Sequence, residues 1–312
     1  MRDKRTLRDW AVALRPWSFP TSGVPVVATL AYLLFALTQA DADAGAVATA
    51  NWVNGVLSIV ALMVLHAGGN LVSDYYDHIR KVDVPGGPNG VTWIDTGLFA
   101  PREILRYGLA MLALGAVLGL CILLRSSFEV LWIGVLALAL PLLYPWLKAH
   151  ALGDVDVILS FAILPALGTC FVVTGSYHPE VIVLCLPYGL LTVSILHVNN
   201  TRDRANDRRA GLCTLPLLTG WRTACRMYVA ELVLPYLLVL AFVGWNFGSR
   251  PSVACLLLTF VSLPMAIRNI RAITAARTEE EQHIDTLDQQ SAQLQLAFGL
   301  LYTVGFAVAA IW

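Results

Sequence analysis

Two acidic motifs of similar design are the part of this chain best suited to chemistry. Residues 70–77 read Asn-Leu-Val-Ser-Asp-Tyr-Tyr-Asp, and residues 199–207 read Asn-Asn-Thr-Arg-Asp-Arg-Ala-Asn-Asp. Because a helix turns by about 100° per residue, each motif places one amide and two carboxylates on one helical face. The side chains concerned are Asn70, Asp74 and Asp77 in the first motif and Asn199, Asp203 and Asp207 in the second.

Four carboxylates in one site predict bound metal ions. Their charges repel one another at close range, so they are stable together only when cations balance them. All-oxygen ligand sets select hard cations, and Mg²⁺ binds through one or two carboxylates together with substrate phosphates. The four aspartates are therefore predicted to hold Mg²⁺ and to be the catalytic residues. The simpler interpretation is that they cap helices or form ion pairs at the membrane surface.

A metal-bound diphosphate would bring further negative charge and would need basic residues nearby. The candidates include Arg15, Lys148 and Arg208. A charged head held in a mostly apolar chain indicates an allylic prenyl diphosphate, whose cation must be kept from water until an electron-rich ring attacks it. Tyr144 is a candidate to shield that cation with its ring face.

The rest of the sequence predicts an all-α membrane protein. Of the 312 residues, 57% are hydrophobic and only 13% are charged, against about 25% charged in soluble domains. The zero net charge gives no signal for nucleic acid. Nine stretches are apolar over the roughly 20 residues that a spanning helix needs. They are residues 19–38, 52–72, 104–124, 128–147, 155–175, 180–199, 224–245, 252–270 and 292–311.

The basic residues predict the orientation of these spans. With the N-terminus in the cytoplasm, 19 of the 21 Lys and Arg residues fall on the cytoplasmic side, and only Arg125 and Arg250 fall on the other. This asymmetry follows the positive-inside rule. We therefore expect a multi-pass protein of the cell inner (cytoplasmic) membrane, with the N-terminus and the active site on the cytoplasmic side.

The motifs also predict the domain organisation. Each lies at a helix end, and the second motif follows the first by four spans along the chain. We expect one transmembrane domain over residues 1–312, built from two pseudo-repeated halves of about 1–150 and 151–312.

Several segments resemble the UbiA superfamily of intramembrane prenyltransferases. The similarity includes Leu14-Arg15-Pro16, residues 70–88, Pro101-Arg102-Glu103 and residues 144–154, and it is strongest over residues 199–216. The resemblance implies nine transmembrane helices in a ring around a central cavity. It also implies that each motif, with its asparagine, forms a Mg²⁺-diphosphate site, and that Lys148 and Arg208 contact the diphosphate.

Within the superfamily, the first motif's spacing and the Asn-Asn-x-Arg-Asp start of the second are most similar to 1,4-dihydroxy-2-naphthoate polyprenyltransferases of menaquinone biosynthesis. The implied reaction attaches a polyprenyl group to the naphthoate ring, with loss of the ring carboxylate. Other acceptors in the superfamily include 4-hydroxybenzoate and homogentisate. Leu212 and Cys213 stand where the family often has basic residues, and Arg208 and Arg209 are the candidates to replace them.

Two other classes of membrane protein also carry such acids. A transporter would place them near the middle of the bilayer, and a lipid head-group phosphotransferase would carry a single extended aspartate motif. The sequence favours a prenyltransferase over both. The catalytic base stays open, because His66 and His197 lie near the motifs but are better interpreted as structural, hydrogen-bonded histidines. Asp154 either contacts the acceptor or stabilises its loop.

Overall fold

The computed structural model describes residues 5–39, 45–82, 93–278 and 284–312, and these ranges fold into helices without β-strands. The α-helices are α1 (Leu7–Ala13), α2 (Phe19–Gln39), α3 (Gly45–Thr49), α4 (Trp52–Arg80), α5 (Pro101–Leu123), α6 (Leu131–Lys148), α7 (Gly153–Ile158), α8 (Leu164–Thr174), α9 (Glu180–Arg202), α10 (Arg204–Arg209), α11 (Leu215–Thr219), α12 (Trp221–Asn246), α13 (Leu263–Ala275) and α14 (Leu287–Ala309).

Nine helical segments of this described chain are long and apolar enough to cross a membrane. They confirm the predicted all-α, polytopic fold. Some spans combine shorter helices: a π-helical turn over Leu159–Ile163 joins α7 to α8, and a 3-10 stretch over Pro251–Ser262 leads into α13. The main difference from the sequence prediction lies at the helix ends, because α4 continues to Arg80 and carries the whole first motif.

The spans pack in circular order. Each one packs against the next along the chain, α14 packs against α2, and α9 also packs against both α2 and α14 across this ring. Because successive spans alternate in direction, the C-terminal ends of α4, α6 and α9 lie at the same end of the ring. Both acidic motifs are at that end, as are the connections that follow α6 and α9.

Small residues let α4 approach α5 closely. A Cβ atom on Gly68 would lie 2.8 Å from the Leu112 side chain and 3.1 Å from the carbonyl oxygen of Gly108. Small residues at such contacts are typical of membrane helices, which associate through close packing. This contact fixes α4, and with it the first motif, against its neighbour.

Candidate active site at the ends of α4, α6 and α9

The first motif lies on one uninterrupted helix, as the sequence predicts, and each of its aspartates faces a cation from another span. Nη2 of Arg15, which precedes α2, donates to Oδ1 of Asp74 at 2.5 Å. Nζ of Lys148, the last residue of α6, lies 3.5 Å from Oδ2 of Asp77. Asp74 is buried, and the side chains of Asp77 and Lys148 are mostly buried. These ion pairs tie three spans together at one point.

The backbone at Arg15 adopts an uncommon conformation. Its φ of 54° and ψ of 57° lie in the left-handed region, which costs free energy for a residue with a Cβ atom. Strain of this kind occurs most often at functional sites. Here it allows the chain to turn from α1 into α2 while the guanidinium of Arg15 reaches Asp74.

The second motif departs from the single helix that the sequence predicts. α9 ends at Arg202, Asp203 has φ −90° and ψ 10°, and α10 begins at Arg204. The expectation of one continuous helix was therefore wrong at Asp203, although helical backbone hydrogen bonds still join Asp203 N to Asn199 O at 3.0 Å and Asp207 N to Asp203 O at 2.9 Å. The helix is interrupted at Asp203, whose carboxylate accepts hydrogen bonds from the neighbouring Arg202 guanidinium at 3.0 and 3.1 Å.

Arg202 also holds the surroundings of the second motif in place. Its Nη2 donates to Oδ1 of Asn199 at 2.5 Å, and its Nη1 lies 3.1 Å from Oδ1 of Asp288 in α14. Asp207 is buried, and Oγ1 of Thr214 donates to it at 3.2 Å. Arg202 therefore balances the acids of this site and is not positioned as an exposed contact for substrate.

The two motifs come within electrostatic range of each other. The pKa of the Asp207 carboxyl is raised to about 6, mainly by burial and also by the Asp203 and Asp77 carboxylates, while the Lys148 ammonium acts to lower it. Asp77 belongs to the first motif, so carboxylates from both halves of the chain influence each other, with Lys148 beside them. Carboxylate oxygens are the donors that suit a hard divalent cation, so the residue types present fit Mg²⁺.

The structure places the remaining predicted residues as follows. Nδ2 of Asn70 donates to the hydroxyl of Ser18 at 3.3 Å. Tyr144 is half-buried and lies within electrostatic range of Lys148 and Asp77, so it is close to the acidic group. Arg208 is exposed on α10. Its contact with diphosphate therefore stays a prediction.

Two predicted segments lie outside the described residues, and one buried carboxylate was not predicted at all. Asp83 and the Gly86-Gly87-Pro88 segment are in the undescribed range 83–92. Sequence reasoning did not single out Glu231, which is buried on α12 close to His197. The available signal was a carboxylate within a long apolar span, where ionisable residues are uncommon and usually functional.

An apolar cavity lies within the membrane-spanning part of the protein. It has a volume of about 370 Å³ and is lined by residues of α4, α5, α6 and the span that contains α8. Its lining includes His66, one turn before Asn70 on α4, and Pro141, about one turn before Tyr144 on α6, but none of the four aspartates. The cavity therefore comes within about one helical turn of the site residues on α4 and α6 and lies deeper in the membrane than they do.

Fold and site together define a polytopic membrane protein with an acid-rich site at one end of a helical ring. Residues 26–282 match the UbiA prenyltransferase family, and the chain belongs to that family. It is thus a multi-pass prenyltransferase of the UbiA type, which confirms the resemblance at the level of the family.

Characterised relatives align over almost the whole chain. UbiA prenyltransferase domain-containing protein 1 of Homo sapiens is 29% identical, over 99% of this chain and 88% of the relative. Its Drosophila melanogaster homolog is 30% identical, over 97% of this chain and 80% of the relative. These relatives do not identify the chain specifically as a naphthoate prenyltransferase.

Solved structures show the same fold. The apo structure of a UbiA homolog from Aeropyrum pernix aligns with a TM-score of 0.63 and 18% identity, covering 90% of this chain and 96% of that one. A UbiA homolog from Archaeoglobus fulgidus, bound to GPP and Mg²⁺, aligns with a TM-score of 0.61 and 18% identity, covering 93% and 98%.

Proposed function

We propose that this protein transfers a polyprenyl group from an allylic prenyl diphosphate to 1,4-dihydroxy-2-naphthoate, with Mg²⁺, in menaquinone biosynthesis. One observation carries the proposal. Aspartates from both halves of the chain lie within electrostatic range of one another, with Lys148 beside them, and an apolar cavity lies deeper in the membrane, about one helical turn from Asn70 and Tyr144. A site of this form suits a substrate with a strongly charged head and a long apolar tail.

The acidic group is the proposed diphosphate site. Asp74, Asp77, Asp203 and Asp207 would hold Mg²⁺, with Asn70 and Asn199 supporting them. When bound, the metal neutralises the negative charge that develops on the departing diphosphate. The Archaeoglobus homolog with GPP and Mg²⁺ supports the choice of ligand and ion.

The basic residues would assist the same step. Arg15 and Lys148 contact Asp74 and Asp77 in the structure, so metal binding there would release part of their charge toward the diphosphate. Arg208, exposed on α10, is the third candidate contact. Arginine forms paired hydrogen bonds with phosphate, whereas lysine acts as a point charge.

The apolar cavity would hold the prenyl tail and exclude water from the reacting carbon. Tyr144 follows the cavity-lining Pro141 by about one turn and lies within electrostatic range of Lys148 and Asp77, which supports a role for its ring in shielding the allylic cation. In the reaction, the allylic C–O bond breaks, a carbon of the acceptor ring forms the new C–C bond, and the ring loses its carboxylate as carbon dioxide.

The acceptor assignment rests on the second motif, Asn199-Asn200-Thr201-Arg202-Asp203, which resembles that of naphthoate prenyltransferases. The alternative is another aromatic acceptor, such as 4-hydroxybenzoate or homogentisate. Leu212 and Cys213, which replace the family's usual basic residues, keep this alternative open.

The positive-inside distribution supports an orientation with the N-terminus and the site on the cytoplasmic side of the cell inner membrane. The two motifs at equivalent helix ends support one domain with pseudo-repeated halves. The orientation is tested by introducing Arg209→Cys and measuring the accessibility of this cysteine in sealed right-side-out and inverted vesicles.

In the decisive experiment, the purified protein is incubated with Mg²⁺, a polyprenyl diphosphate and a panel of aromatic acids. The products are identified by mass spectrometry. We expect a prenylated, decarboxylated naphthoquinol and one diphosphate released per product. Turnover only with another acceptor would remove the naphthoate assignment. No Mg²⁺-dependent diphosphate release with any acceptor would remove the proposed reaction.

A further inference from the structure

A second group of ionisable side chains is buried beside the aspartates and has no part in the reaction proposed above. It consists of Asp154 at the start of α7, His197 on α9 and Glu231 on α12. Each offers one donor atom, and these atoms lie within 4.8 Å of one another. The His197 side chain is fully buried, and the two carboxylate side chains are each 10% exposed.

The hydrogen bonds of His197 determine what its second ring nitrogen faces. Nε2 lies 3.1 Å from the carbonyl oxygen of Ala224, which can only accept, so Nε2 carries a hydrogen. Nδ1 lies 2.9 Å from Oδ2 of Asp154 and 3.2 Å from Oε1 of Glu231. In the neutral ring, the Nδ1 lone pair would point at two carboxylate oxygens. A cation, either a proton or a metal ion, must therefore lie between them.

The unused oxygens favour a metal ion over a proton. A single proton on Nδ1 would leave two carboxylates beside one imidazolium, with a net negative charge in a buried site, and a second proton on one carboxylate would still leave an oxygen of the other without a donor. Oδ1 of Asp154 and Oε2 of Glu231 are also buried without a hydrogen-bond partner in the described part of the chain. Unbalanced buried charge is costly. One divalent ion would neutralise both carboxylates and offer a partner to both oxygens.

The distances and donor types fit such an ion. With metal–ligand bonds of about 2.1 Å, donor atoms at right-angle to tetrahedral positions lie about 3.0–3.4 Å apart. The observed separations from Nδ1 of His197 are 2.9 and 3.2 Å. A ring N–H anchored on a backbone carbonyl is also the usual support of a metal-binding imidazole. Imidazole combined with carboxylates suits Zn²⁺, Mn²⁺ or Fe²⁺, whereas all-oxygen ligands suit Mg²⁺.

We propose that Asp154, His197 and Glu231 form a separate binding site for one divalent first-row transition ion. The ion joins α7, α9 and α12 at a point two residues before Asn199. It thereby holds the start of the second motif in place while taking no part in the transfer. This site does not depend on the identity of the substrate.

Mn²⁺ binding to the full-length protein in detergent tests the proposal. The starting protein carries Asp74→Asn and Asp203→Asn, which weaken the aspartate site, and is stripped with a chelator before Mn²⁺ is added. We expect one bound Mn²⁺ per chain, with a ¹⁴N coupling from a directly coordinated imidazole in pulsed EPR. His197→Gln in this background should abolish the coupling and the bound ion.

Two further variants separate a lost ligand from a lost fold. Glu231→Gln keeps the imidazole and should weaken Mn²⁺ binding by at least about tenfold, the scale seen for changes around metal ligands. His66→Gln changes another histidine, which is half-buried and contacts Ser22, and should leave the ¹⁴N signal intact. Mn²⁺ should also raise the thermal unfolding temperature of the starting protein, and at the same Mn²⁺ concentration it should raise that of the Glu231 variant less.

The proposal is wrong if the starting protein retains no Mn²⁺, because the cluster is then a protonated histidine between two carboxylates. It is equally wrong if the ¹⁴N coupling persists in His197→Gln. Neither result bears on prenyl transfer, which is measured separately with the aspartates intact.

Discussion

The two acidic motifs carry similar side chains but balance their charge differently. In the first, the cations come from distant spans, with Arg15 on Asp74 and Lys148 on Asp77. In the second, the cation is Arg202, the immediate neighbour of Asp203. A distant cation can part from its carboxylate when the spans shift, whereas a neighbouring one moves with it. We infer that the ion pairs of the first motif change when ligands bind, whereas the Arg202–Asp203 pair of the second motif stays in place.

The largest expected effect comes from the aspartates themselves, because both motifs are required in this account. Asp74→Asn and Asp203→Asn should each lower the rate of prenyl transfer by about 100-fold to 1,000-fold or more, the scale for losing a strong electrostatic contribution. The measurement is product formation at saturating Mg²⁺. Glu129→Gln, at the opposite end of the ring, is the matched control and should remain active.

A smaller loss is expected from the distant cations. Lys148→Gln removes a charge that lies near Asp77 and Asp207, so we expect transfer to fall about tenfold to 100-fold, mainly through a higher KM for the prenyl diphosphate. Arg15→Lys keeps the charge but loses the planar fork and should have a milder effect. An unchanged KM in Lys148→Gln would mean that this lysine serves only to neutralise Asp77.

Substitution of Arg202 should mainly affect stability, because Arg202 pairs with its immediate neighbour Asp203. Arg202→Gln leaves buried acids without their cation, which costs on the order of 3 kcal/mol for a buried pair, so the unfolding temperature should fall by several degrees. Thermal unfolding by intrinsic fluorescence measures this. Lys148→Gln should lower the unfolding temperature less, because the Lys148–Asp77 pair is longer, at 3.5 Å, and more exposed, and an equal fall in both variants would erase the contrast between the motifs.

The smallest effect on activity is expected where α4 packs on α5. Gly68→Val inserts atoms where a Cβ would already lie 2.8 Å from Leu112, so we expect destabilisation of about 1–3 kcal/mol and a partial loss of transfer. Gly244→Val is the control, since a Cβ at that position meets nothing within 4 Å. Thermal unfolding of the two variants side by side makes the comparison.

The sequence predicted the spans well because membrane-spanning helices can be identified by their length and hydrophobicity. It also placed Asn70, Asp74 and Asp77 on one helical face, and the uninterrupted α4 agrees. It could not show the break at Asp203, nor that the neighbouring Arg202 would pair with Asp288, a residue distant in sequence.

Pairings between distant spans were also beyond the sequence. Nothing local indicates that Arg15 would select Asp74, or that Glu231 would lie 3.2 Å from His197. Such contacts follow from how the ring closes, and helical periodicity constrains each helix separately. The composition near the motifs predicted that cations would be present but not which acid each would meet.

Both motifs are proposed to act on a single diphosphate, and a binding measurement tests this directly. An unreactive thiolodiphosphate analogue of the substrate would be titrated with Mg²⁺ into the wild type, Asp74→Asn, Asp203→Asn and the double variant. A shared site predicts that each single variant loses most of the affinity and that the double variant loses little more. Independent sites would instead leave each single variant with one intact site of wild-type affinity, and that result would contradict the account.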